Sequence, residues 1–174
     1  TIDGYEKLLQ QQRDSSDFLK DVLLLPNIEF RCLPPTKNGN ALNIHLVVDV
    51  KDIDHVKNIK RTLQKLEFKY DGQPYGCSRE ELIRFAKAQK QSLTDELAYK
   101  FGIEQFKPSY TDIFSWLDSD QWLATNSVIG IANGKDGISG LPLDAYASTR
   151  DELLRQAHFI FSGNPSDRQH YLGL

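Results

Sequence analysis

The chain has 174 residues, enough for one domain with a sizeable core and too few for two. Its net charge of −3 and scattered basic residues exclude the dense positive footprint of a dedicated nucleic-acid module, though not nucleic acid as a substrate. No stretch approaches the roughly 20 apolar residues that span a bilayer, and the N-terminus lacks a signal-peptide pattern, so no membrane association is expected.

Only Cys32 and Cys77 are present, without the spacing of a thiolate zinc site, which fits a reduced, cytoplasmic setting. The opening Thr1-Ile2-Asp3-Gly4 and the absence of methionine read as a piece of a longer protein.

In chain order, residues 2–21 carry Tyr5, Leu8, Leu9 and Phe18 among polar side chains, an amphipathic helix with a loose middle at Ser15 and Ser16. Two apolar runs, 22–31 and 41–49, read as strands, joined through the turn-forming residues 34–40. Asp52 is placed to cap a helix over 53–66, whose Val56, Ile59, Leu63 and Leu66 recur at helical spacing while Lys57, Lys60, Arg61 and Lys65 fall mostly on other faces.

Residues 68–75 read as a short strand or hairpin about Asp71-Gly72, and Ser78 with Glu81 has the form of a capping box opening a helix over 79–89. Further helix starts are expected at Ser92 with Asp95 and at Ser109 with Asp112, with Gly102 as a helix stop. Residues 122–132 are apolar and β-branched enough for a buried strand. Residues 133–140 are too glycine-rich for a helix or a strand. Ser148 to Asp151 starts another helix, 158–161 is a short strand, and Asn164-Pro165 is helix-start chemistry. Strands alternating with helices predict an α/β domain with part of its sheet parallel, spanning residues 1–174 as one unit.

Glu29 and His45 are the candidate metal ligands. Glu29 shares a strand face with Leu23 and Leu25, where a carboxylate is costly unless paired, protonated or metal-bound; the alternative is an ion pair with Arg31 or a lysine. His45 sits in an apolar run, where a neutral imidazole can serve either as a core residue or as a ligand. His55 is expected to face solvent, and His158 and His170 to be structural.

The 133–140 loop is an anion cradle or simply a turn, with Lys135 and Asp136 as its charged residues. Arg168, one turn past a helix start, is the other candidate for touching phosphate. No G-x-S-x-G motif occurs and neither cysteine has a histidine nearby in sequence, so covalent catalysis has no support.

The stretches Thr1-Ile2-Asp3-Gly4-Tyr5-Glu6-Lys7-Leu8-Leu9, Leu23-Leu24-Leu25-Pro26-Asn27-Ile28-Glu29, Asn133-Gly134-Lys135-Asp136-Gly137-Ile138-Ser139-Gly140 and Ile160-Phe161-Ser162-Gly163-Asn164-Pro165-Ser166-Asp167-Arg168 together resemble PHP (polymerase and histidinol phosphatase) domains. The resemblance is to those carried by bacterial proteins with an AAA or SMC-like ATPase. It implies a distorted (β/α)7 barrel, incomplete in this chain, around divalent metal ions (Mn, Zn or Fe) bound by histidines and carboxylates. It also implies hydrolysis of a phosphoester such as DNA or a nucleotide, an ATPase domain in the same polypeptide, and a possible part in defence against foreign DNA.

On that pattern Glu29 resembles the glutamate, and His45 the histidine, of the third family motif. The family's remaining motifs fall outside residues 1–174, so the resemblance is to the interior of such a domain. A chain holding so few ligands is expected to be inactive alone, and a degenerate PHP-like interaction or regulatory module is the alternative.

Overall fold

Strict alternation in the second apolar run builds the centre of the molecule. In β2 (Leu42–Val48), Leu42, Ile44, Leu46 and Val48 are buried while Asn43, His45 and Val47 are only half-buried. This is the period-two pattern of a strand with one face in the core. The computed structural model describes residues 2–15 and 17–162. Within them β1 (Asn27–Cys32), β2, β5 (Ser127–Ala132) and β6 (Phe159–Phe161) form a four-stranded sheet in the order β1-β2-β5-β6.

β1 pairs with β2, and β2 with β5, in antiparallel fashion; only β5 and β6 are parallel. The 14-residue helix α7 (Leu143–Gln156) lies between the two parallel strands in sequence, the crossover that parallel pairing requires. A separate hairpin joins β3 (Glu67–Tyr70) to β4 (Gln73–Gly76). Asp71 and Gly72 both take positive φ at its turn, as the two-residue loop demands.

The helices are α1 (Ile2–Asp14), α2 (His55–Leu63), α3 (Arg79–Gln89), α4 (Asp95–Gln105), α5 (Tyr110–Ser119), α6 (Gln121–Asn126) and α7. Ile59 of α2, Ile113 and Trp116 of α5, Leu123 of α6 and Leu153 of α7 join Phe30, Leu42, Ile44 and Ile131 in one apolar core. Trp116 packs edge-on against Phe30 and donates from Nε1 to the Thr62 carbonyl at 2.8 Å, so its one polar atom is satisfied inside that core. Phe68, Tyr75 and Phe85 form a smaller aromatic cluster under the β3–β4 hairpin.

The fold is therefore mixed α/β, as read from the sequence, and among the described residues its sheets are open, none closing into a barrel. Several local expectations are corrected. The first strand begins at Asn27 rather than at residue 22, and α1 ends at Asp14. Residues 121–126 are helical because Asp120 accepts from the Trp122 and Leu123 amides, so the strand starts only at Ser127. Gly102 lies inside α4 instead of ending it: a Cβ there would stand 2.4 Å from the Leu82 carbonyl oxygen, and the bare backbone lets α3 and α4 meet. Asn164, Pro165, Arg168 and His170 lie outside the described residues. Among the described residues no helix is long and apolar enough to cross a membrane.

Candidate functional site

The antiparallel register sets Glu29 directly opposite His45, and both alternate away from the buried positions of their strands. The two candidate ligands therefore share the sheet face opposite the core. Arg31, two residues along on the same face, brings its Nε to 3.5 Å from a Glu29 carboxylate oxygen, with the Glu29 side chain 42% exposed. The pairing alternative for Glu29 is thus met, in solvent, where such a bridge contributes little.

His45 is held from two sides. The Asn27 side-chain nitrogen lies 2.9 Å from Nδ1, and the Phe161 ring sits against the imidazole at 4.3 Å between centroids. Burial lowers the His45 pKa below the ordinary histidine value, opposed by the Glu29 charge, which raises it. The ring thereby favours the neutral form, the one that binds metal. The Asn27 amide nitrogen donates to Nδ1, so the neutral ring carries its proton on Nε2, and Nε2 would offer a lone pair only with the amide turned to put its oxygen against Nδ1.

Gly130 continues the row on β5, opposite His45, and Phe159 follows on β6. The Phe159 ring lies over Gly130 so closely that a Cβ there would be 2.3 Å from it. Phe159 and Phe161 thus form an aromatic wall beside an imidazole, a carboxylate and a guanidinium. Among the described residues no group of three or more His, Cys, Asp or Glu side chains gathers as a metal site, and Glu29 and His45 alone fall short of the about three protein ligands that a catalytic ion takes.

The 133–140 loop leaves β5 at its carboxyl end, next to the row of Arg31 and Asn43, so the Glu29–His45 row lies one pleat further in. It is tied down by main-chain bonds from Asn43 to the Asp136 carbonyl at 2.8 Å and from Lys37 to the Gly140 carbonyl at 2.6 Å. The Asp136 carboxylate accepts from the Asn40 amide at 2.6 Å, which engages it in holding the loop to the β1–β2 connection. Lys135 is exposed.

The other described histidines are engaged elsewhere. His158 Nδ1 accepts from the Ile129 amide at 3.1 Å. His55, expected in solvent, is only 5% exposed, with Nδ1 at 2.7 Å from the Asp52 carbonyl and Nε2 at 2.9 Å from the Tyr5 hydroxyl. Sequence reasoning passed over Asn27 and Phe161 as members of the site. Asn27 was legible as the residue two before Glu29, but Phe161 meets His45 only across β5 and β6.

No family model matches the chain, and no curated protein or solved structure is significantly similar to it.

Proposed function

We propose that Glu29 and His45 are two ligands of a divalent-metal centre (Mn, Zn or Fe) in a phosphoester-hydrolysing domain of PHP type, working beside an ATPase domain of the same polypeptide. The supporting observation is their direct cross-strand opposition on the face away from the core. The remaining ligands then come from outside the described residues.

A metal bound there would lower the pKa of a coordinated water and polarise the phosphate oxygens. His45 offers a neutral nitrogen and Glu29 a negative oxygen. Arg31, 70% exposed, is placed to hold a phosphate oxygen once the Glu29 carboxylate turns to the cation, and Lys135 on the adjoining loop adds a second positive charge. A catalytic ion takes about three protein ligands, so the 174-residue chain by itself is expected to bind metal weakly.

The second reading is a module of the same ancestry without chemistry. The Glu29–Arg31 bridge favours it, since the carboxylate is already partnered by a side chain. Calorimetric titration of the full natural polypeptide with Mn²⁺ and Zn²⁺, alongside hydrolysis of a phosphodiester, separates the two. Stoichiometric binding and hydrolysis lost in His45→Ala and Glu29→Gln support the metal centre. Binding that survives both substitutions refutes the ligand assignment, and a natural polypeptide that binds no metal favours the inert module.

A further inference from the structure

On the other side of the sheet, α1 and the first turns of α2 enclose an open groove of about 690 Å³. Its position follows from β2: Ile59 of α2 shares the core with Leu42, Ile44 and Leu46, whereas His45 points the opposite way. α2 carries no acidic residue and is strongly amphipathic, with Ile59 inward and Lys57 and Arg61, one turn apart, outward. Across the groove α1 presents Lys7 and Arg13.

Of the groove's lining, Lys7, Arg13 and Lys57 are exposed, and none has an ion-pair partner among the described residues. Glu6 is neutralised by Lys60 at 2.5 Å, leaving Asp54 as the one carboxylate of the lining without such a bridge. In a chain of net charge −3 this is a local excess of positive charge along a single trough. The one ring in its lining, the His55 imidazole, is buried and held by Tyr5 and the Asp52 carbonyl, so the groove has no open platform for stacking bases. Ile53, 87% exposed at the rim, offers apolar contact but no hydrogen-bond readout.

We infer that the α1–α2 groove binds the phosphate backbone of a single nucleic-acid strand, without sequence preference. A groove of about 690 Å³ bounded by two helices has room for a short stretch of one strand rather than for a duplex. The groove is separate from the Glu29–His45 face, so it anchors a strand rather than presenting a scissile bond, and it does not depend on the metal reading. It is hidden in the sequence because its cations come from two helices some fifty residues apart, each unremarkable alone.

Fluorescence anisotropy with a labelled oligo-dT of about twelve nucleotides, in the range of known single-strand site sizes, is the test. Three phosphate contacts, from Lys7, Arg13 and Lys57, predict that log K falls with log[KCl] at a slope of about −2, since each contact contributes about −0.7 on single strands. Arg13→Gln with Lys57→Gln should cut the slope to about a third and weaken binding about 25-fold at about 0.1 M salt, the loss of two such contacts. Lys100→Gln with Lys107→Gln, outside the groove, should leave both unchanged. The inference is overturned if the Arg13/Lys57 variant keeps the wild-type slope or the oligonucleotide does not bind. It is also overturned if a duplex binds more tightly than the strand, or if inorganic phosphate or an oligoglutamate of equal charge displaces the strand equally well.

Discussion

Replacing Gly137 by alanine tests what the 133–140 loop is built for. A Cβ at Gly137 would stand 1.7 Å from the Ala132 carbonyl oxygen and 2.2 Å from its carbon, both main-chain atoms that cannot swing aside. The loop must therefore retreat by more than an ångström. That retreat pulls on the Gly137 amide's bond to the Gly134 carbonyl at 2.9 Å, the Asn43 amide's bond to Asp136 at 2.8 Å and the Lys37 amide's bond to Gly140 at 2.6 Å. Three lost main-chain bonds at about 1 kcal/mol each give a destabilisation of about 3 kcal/mol. For a domain of this size that is a fall in Tm of about 6–12 °C. Urea denaturation and calorimetry read the loss, and hydrogen exchange at the Asn43 and Lys37 amides reports whether these ties have opened. A loss below about 0.5 kcal/mol, the range of neutral surface changes, with the Asn43 amide still protected, would refute the packing argument. It would return the glycine to the role of a flexible anion cradle.

Stability should fall in acid partly through His45. Its folded-state pKa lies below the ordinary value near 6.5, so the unfolded chain binds the proton more readily; the stabilisation is present above about pH 6.5 and fades as pH drops through the lowered folded value. His45→Gln should flatten the urea midpoint between about pH 7 and pH 5, and Glu29→Gln, by removing the one upward pull, should steepen it; coincident profiles for wild type and His45→Gln would contradict the assignment. Ser109→Ala should cost about 1 kcal/mol, because Ser109 Oγ accepts from the Asp112 amide at 3.0 Å while the Asp112 carboxylate accepts from the Ser109 amide at 2.8 Å. Ser92→Ala, at a helix start that the chain does not use, should be neutral in the same thermal melts, since α4 begins after Thr94.

Where local chemistry suffices, the sequence determined the structure by itself. Ser78 caps the helix that runs from Arg79 to Gln89, and Asp71-Gly72 turns the β3–β4 hairpin, because the groups that make these features lie within a few residues of one another. The apolar run 41–49 likewise read as a strand, whereas the face that His45 takes, opposite Leu42 and Ile44, came from the structure. Tertiary structure decided the rest. Gly102 stays helical because the Leu82 backbone comes close enough to forbid any side chain, and His55 is buried by the Tyr5 hydroxyl arriving from α1. Trp122 turns helical where its own β propensity favours a strand, with its indole held by the Asp52 carboxylate at 2.8 Å from 70 residues away. Glu29 meets His45 only through the antiparallel register of β1 and β2, since a slip of one residue would have sent the carboxylate into the core.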